Sequence, residues 1–256
     1  MRDGRGVAAR YRARMPRRPL IATAALCMAV PMCAPLTAAD TPAAMPGPPT
    51  LKQSWAARVM LRLTARTAPD ATAKRVMTVN PVAPLGGDAT ILQVTGRAVD
   101  ATGHVWLRVR LPVRPNGTQG WLPADPLELR LIRLRVRVVV HARRLILYRS
   151  GRPIMRITVA VGARKTPTPT GHFAVAELIR TGDPKGFLGP VVMPLTAYSA
   201  TLNEYAGGNG RVAMHGTSLP ELLGTAASHG CIRIRNSDVQ RLARIVRPGT
   251  PVDIVP

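Results

Sequence analysis

Turn residues break this chain so often that short strands are almost the only regular structure left to it. Between Trp55 and Leu129, apolar runs at residues 61–63, 75–79, 90–94 and 105–111 are separated by Asn80-Pro81, Gly86-Gly87-Asp88, Asp100-Ala101-Thr102-Gly103 and Pro115-Asn116-Gly117. From Leu131 the strands lengthen. Leu134, Val136, Val138 and Val140 alternate with Arg133, Arg135 and Arg137, the period of a half-buried strand with a basic outer face. Residues 144–148, a Ser150-Gly151 turn and residues 154–161 continue as a meander. A loop at Thr166-Pro167-Thr168-Pro169-Thr170-Gly171 precedes a strand at 173–175. Near the end, Asn236 or Ser237 is placed to cap a short helix with Val239, Leu242 and Ile245 on its buried stripe. Pro248-Gly249 stops it, and residues 251–255 form a last strand. The expected class is mainly β, with one short C-terminal helix and no internal repeat.

The N-terminus has a different composition. Seven arginines between Arg2 and Arg18 precede an apolar run from Leu20 to Val30, then small residues ending in Thr37-Ala38-Ala39. A basic leader, a short apolar core and a small-residue site are the parts of an export signal. The run is broken by Pro31 and Pro35 and is shorter than the roughly 20 residues that span a bilayer. Residues 1–39 are therefore expected to be a signal peptide, with an uncleaved membrane anchor as the alternative. Residues 40–55, rich in proline and alanine, are an extended linker. Two domains are expected beyond it, at 56–130 and 131–256.

Cleavage after Ala39 would remove Cys27 and Cys33 and leave Cys231 as the one thiol, with no internal disulfide possible. An unpaired thiol in an exported chain is a candidate reactive group. Its neighbours Ser228, His229, Gly230 and Arg233 are unlike those of a buried apolar cysteine, and His215-Gly216 lies upstream. Cysteine and histidine brought together in a fold are the minimum for thiolate catalysis. The same residues allow a second reading: His215, His229 and Cys231 as zinc ligands, a set with no clear fourth member.

The formal charge is +23, of which the leader supplies +6, so +17 remains after cleavage. Such a charge favours polyanions. Nucleic acid is disfavoured by export and by the scarcity of aromatics, 4% of residues. Anionic wall polymers suit the compartment better, and a solvated basic surface with no ligand is the plain alternative.

Two resemblances follow from particular residues. Trp106-Leu107-Arg108-Val109, Asn116-Gly117 and Gly120-Trp121-Leu122 are similar to the closing strands of a bacterial SH3-like domain over residues 60–127, with Trp106 and Trp121 expected in a small barrel's core. Thr168-Pro169-Thr170-Gly171-His172-Phe173, Met214-His215-Gly216-Thr217, Ser228-His229-Gly230-Cys231-Ile232-Arg233-Ile234 and Gly249-Thr250-Pro251-Val252 resemble the L,D-transpeptidases over residues 132–256. The fold implied is a small SH3-like β-barrel followed by a β-rich L,D-transpeptidase catalytic domain.

The second resemblance implies roles. Cys231 is the nucleophile, His215 the base, and the Gly216 carbonyl orients the ring. Ser228, His229, Gly230 and Arg233 shape the site, with Gly230 and Cys231 N–H groups as oxyanion donors and Arg233 on a substrate carboxylate. Tyr198 either lines the cleft or packs in the core, and residues 183–210 bound the cleft. His104, His141 and His172 carry no expected chemistry. Peptidoglycan stem peptides are the implied partners. No metal or other cofactor is expected, and membrane contact is expected only through an uncleaved signal. The implied reaction is 3→3 cross-linking through a thioester. L,D-carboxypeptidase action, another exported cysteine peptidase and a non-catalytic wall-binding protein are the alternatives.

Overall fold

In the computed structural model, residues 46–204 and 208–256 are described. The expected signal peptide, with Cys27 and Cys33, lies outside the described residues.

Seven strands make an N-terminal sheet: β1 (Ser54–Val59), β2 (Leu63–Arg66), β3 (Arg75–Val79), β4 (Ile91–Val99), β5 (Val105–Arg110), β6 (Gln119–Pro123) and β7 (Leu127–Ile132). Their spatial order is β3-β2-β6-β5-β4-β1-β7. The turns form where the sequence supplies the means. At the β4–β5 connection the Asp100 carboxylate accepts from the backbone N–H groups of Thr102 and His104, and Gly103 takes φ +89°. Side-chain caps of this kind let a short polar loop replace ladder hydrogen bonds. Ala57, Val59, Val94, Leu107, Val109, Leu111 and Leu122 close the core of this sheet.

Trp106 is buried, and its indole N–H donates to Asp100 Oδ2 at 2.8 Å. Trp121, expected in the core, is only half-buried. It carries the Arg108 guanidinium 5.6 Å from its ring centroid, because β6 faces its alternate residues Gly120 and Leu122 inward.

The second sheet holds β8 (Leu134–Val139), β9 (Arg144–Arg149), β10 (Arg152–Gly162), β11 (Gly171–Ala174), β12 (Ile179–Arg180), β13 (Val191–Tyr198), β14 (Arg211–His215), β15 (Ala226–Ser228), β16 (Ile232–Ile234) and β17 (Pro251–Val255). Their order is β11-β17-β8-β9-β10-β16-β14-β13-β12, with β15 beside β10. Val136 and Val138 point into the core as their alternation requires, while Arg137 is exposed and Arg135 pairs with Asp253 at 2.6 Å. The strands β13, β14 and β16 are buried along nearly their whole length and give the core Met193, Leu195, Met214, Ile232 and Ile234. Each such side chain withdrawn from water is worth about 1.5–3 kcal/mol.

Helix α1 (Asn236–Ile245) packs Val239, Leu242 and Ala243 on that core. The expected cap at Asn236 or Ser237 is not formed: Arg235 occupies the cap position and no side chain closes the first turn. The other end is satisfied by Arg247, whose guanidinium donates to the carbonyls of Ala243, Arg244 and Val246. Among the described residues, no helix is long and apolar enough to cross a membrane.

Candidate active site

The site is set by one strand pairing. β14 and β16 run parallel, with Met214 opposite Ile232 and His215 opposite Arg233. Cys231, just before β16, is thereby brought beside Ala213, whose N–H donates to the sulfur at 3.4 Å. Sixteen positions of chain separate His215 from Cys231, and the pairing brings both to one cavity of about 630 Å³. That volume suits a peptide-sized or drug-sized ligand. Phe187, Leu188, Ser199, Leu202 and Arg233 also line it.

The turn that presents the thiol is held by Ser228. Its hydroxyl donates to the Cys231 carbonyl at 2.6 Å and accepts from the Gly230 N–H at 3.1 Å. Gly230 takes φ +112°, a conformation that favours glycine. Its N–H is engaged by Ser228 Oγ, so Gly230 supplies backbone shape and not a free oxyanion donor. Beneath the turn, the Ser228 carbonyl accepts from Ala163 N–H at 2.8 Å and Thr166 Oγ at 3.2 Å. Thr168 Oγ accepts from Gly162 N–H at 2.8 Å. The Thr-Pro-Thr-Gly loop therefore buttresses the cysteine turn.

His215 is almost fully buried, and its Nδ1 stands 2.6 Å from the Gly216 carbonyl. A carbonyl only accepts, so the neutral ring carries its proton on Nδ1 and a lone pair on Nε2. Burial pushes the imidazole down to about 4 and nearby Arg233 adds to this, while the carbonyls of Gly216 and Leu188 oppose it. Burial likewise raises the Cys231 thiol, against the Ala213 N–H and Arg233. The resting pair is a neutral thiol and a neutral imidazole. Such a pair suits a base that removes the thiol proton as the sulfur attacks.

Gly216 has no room for a side chain, because Asn236 Oδ1 and the Gly189 backbone occupy that space. Asn236, instead of capping α1, accepts from Thr217 N–H at 2.8 Å and donates to the Pro184 carbonyl at 3.0 Å. It thus ties the His-Gly loop to the loop carrying Phe187. Arg233 lies buried with its guanidinium 4.9 Å from the Phe187 ring centroid, and its Nε has no hydrogen-bond acceptor. A buried cation left incompletely satisfied at a cavity wall suits an incoming carboxylate.

Of the residues singled out from sequence, Cys231, His215, Ser228, His229 and Arg233 line this cavity, with His229 exposed. Tyr198 does not. It is buried away from the cavity with its hydroxyl on the Pro112 carbonyl at 2.7 Å, and Ser199 takes the lining position. Phe187, Leu188 and Asn236 had no recognisable signal, since their roles depend on loops that meet only in the fold. Among the described residues, no group of three histidine, cysteine or acidic side chains could hold a metal ion.

A mainly β frame that places a cysteine and a carbonyl-anchored histidine in one cleft holds the groups that thiol acyl transfer requires. Residues 133–254 match the family of L,D-transpeptidase catalytic domains named YkuD. The YkuD protein of Bacillus licheniformis is 38% identical over 122 residues, 48% of this chain and 66% of the relative. That of Bacillus subtilis is 37% identical over 119 residues, 46% and 64%. The chain thus spans just under two thirds of the length of these curated relatives. Similar solved structures include the Enterococcus faecium L,D-transpeptidase (22% identity, TM-score 0.36, 47% of this chain and 49% of that one). Another is the Mycobacterium smegmatis L,D-transpeptidase (17%, 0.36, 60% and 91%). Residues 133–254 thus resemble the YkuD family of L,D-transpeptidase catalytic domains.

Proposed function

We propose that this chain is an exported peptidoglycan L,D-transpeptidase that forms 3→3 cross-links through a thioester on Cys231. The observation that carries the reading is the shared cavity of Cys231 and His215, with the His215 ring anchored through Nδ1 to Gly216.

In the first step the sulfur attacks the carbonyl at the L-centre of a diamino acid in a tetrapeptide stem, and His215 Nε2 takes the thiol proton. That proton passes to the departing amine, the amide bond breaks, terminal D-alanine leaves and the thioester remains. In the second step the side-chain amine of another stem attacks the thioester. His215 accepts the amine's proton and returns it to the sulfur as the C–S bond breaks. Arg233 binds a stem carboxylate, and the apolar Phe187 and Leu188 exclude water around the thioester. Water in place of the amine would give the tripeptide and make the protein an L,D-carboxypeptidase.

The N-terminal sheet belongs to this reading as an SH3-like module, and residues 1–39 as the signal that delivers the chain to the wall. Exposed arginines such as Arg137 give it an electrostatic affinity for anionic wall polymers.

The test uses purified tetrapeptide stems. Wild-type protein releases D-alanine and yields cross-linked dimers by mass spectrometry, while Cys231→Ala folds and releases none. Retained turnover in that variant overturns the thioester route, and tripeptide without dimer replaces transfer by hydrolysis.

A further inference from the structure

The N-terminal sheet reaches into the wall of the thiol cavity. The loop between β5 and β6 carries Arg114 and Asn116, and both bind the chain that leaves β13. Asn116 Nδ2 donates to the Tyr198 carbonyl and its Oδ1 accepts from the Tyr198 N–H, each at 2.8 Å. One side-chain amide therefore replaces a strand neighbour for both backbone groups of Tyr198. Arg114 extends the grip. Its two terminal nitrogens donate to the carbonyls of Ser199 at 2.9 Å and Leu202 at 3.0 Å, and its guanidinium lies 4.8 Å from the Tyr198 ring centroid. A planar fork spanning two carbonyls three residues apart fixes the shape of the turn between them.

Ser199, Leu202 and Gly210 are cavity-lining residues, and Ser199 N–H donates to the Gly210 carbonyl at 2.8 Å. A second loop of the same sheet arrives nearby. The buried Glu177 carboxylate accepts from the N–H groups of Leu85 at 3.0 Å and Gly86 at 2.7 Å, and Leu85 lines the cavity.

We propose that Arg114 and Asn116 are positioning residues for the thiol cavity: they hold Tyr198, Ser199 and Leu202 in the shape that seats a stem peptide against Cys231. The N-terminal sheet is on this view a part of the substrate cleft. The proposal rests on the transpeptidase reading for the identity of the peptide, but not for the clamp itself.

The test uses the full chain as wild type, Arg114→Ala, Asn116→Ala and Arg114→Lys, with Arg58→Ala as a control in the same sheet. Three quantities are read: KM and kcat for a tetrapeptide stem, amide hydrogen exchange at Tyr198, and the rate at which Cys231 reacts with iodoacetamide and with a bulky peptidyl maleimide. The alanine variants should raise KM roughly tenfold or more with a smaller change in kcat, since loss of positioning weakens productive binding. They should speed exchange at Tyr198 and change the ratio of the two thiol reactions while leaving the iodoacetamide rate near wild type. Arg114→Lys keeps the cation without the fork and should fall between, which tests the fork even where an alanine variant fails to fold. A KM and a reagent ratio within about twofold of wild type in these variants overturn the proposal. If the wild type does not turn over stems, the transpeptidase reading fails, and the reagent ratio alone decides the clamp.

Discussion

The Nδ1 atom of His215 stands 2.6 Å from the carbonyl oxygen of Gly216, the next residue in the chain. The contact takes the single proton of the neutral ring and turns Nε2 into the acceptor. It also explains why the site manages without a third side chain: the orienting group is backbone, held in place by Asn236 through Thr217.

Stability should depend on pH through His215. Its ordinary value is 6.5, and burial holds it near 4 in the folded protein. Between those values the unfolded chain binds a proton that the folded protein refuses. The contribution is therefore full above about 6.5, falls as pH drops toward 4 and levels off below. The difference corresponds to about 3 kcal/mol at most. Urea unfolding between about pH 7.5 and pH 4 should show this loss in wild type and a shallower one in His215→Gln, which keeps every other titratable group. Equal slopes in the two proteins would refute the assignment.

The thiol should behave as a protonated group at neutral pH. Burial lifts Cys231 above its ordinary 9.0 despite the Ala213 N–H and Arg233. Alkylation by iodoacetamide should therefore be slow near neutrality and keep climbing through about pH 9. A plateau reached below about pH 7 would instead show a preformed thiolate–imidazolium pair.

Glu177 and Arg211 form a buried ion pair at 3.3 Å, and Glu177 also receives the Leu85 and Gly86 N–H groups. Glu177→Ala strands a buried cation and two donors, and should cost about 3–5 kcal/mol in denaturant unfolding. Glu177→Gln keeps an acceptor and should cost less. A loss below about 1 kcal/mol for the alanine variant would show that the contact is solvated.

Asn236 offers a sharper test, because its two candidate roles respond oppositely. Serine is as good a helix cap as asparagine. It cannot bridge Thr217 N–H and the Pro184 carbonyl, so Asn236→Ser should lose about 1–2 kcal/mol with helix content unchanged by circular dichroism. Wild-type stability in that variant would return Asn236 to a capping role.

Strands with alternating patterns were legible in the chain. β3 spans residues 75–79 and β17 residues 251–255, as the sequence indicates, because one face of each meets solvent or an edge. β13 and β14 left no such trace. Their burial is nearly continuous, and a strand covered on both faces has no period of two to read. Trp121 departs from its expected place in the core, and Tyr198 takes the core rather than the cleft, for a related reason. An aromatic side chain fits core or cleft equally well by chemistry, and only the packing of neighbouring strands selects its face.

The local chemistry is written in the chain: a cysteine after a glycine that can take φ +112°, a histidine followed by glycine, and the Ser228 hydroxyl spaced to hold the turn. Tertiary structure decided what that chemistry can do. The parallel pairing of β14 with β16 gave Cys231 and His215 a common cavity, and burial there made both neutral at rest. The Arg114–Asn116 grip on the cavity wall also belongs to the fold alone. Desolvation comes from segments that meet only in the fold, and the grip on the cavity wall joins residues more than eighty positions apart; no local pattern records how closely such groups will approach.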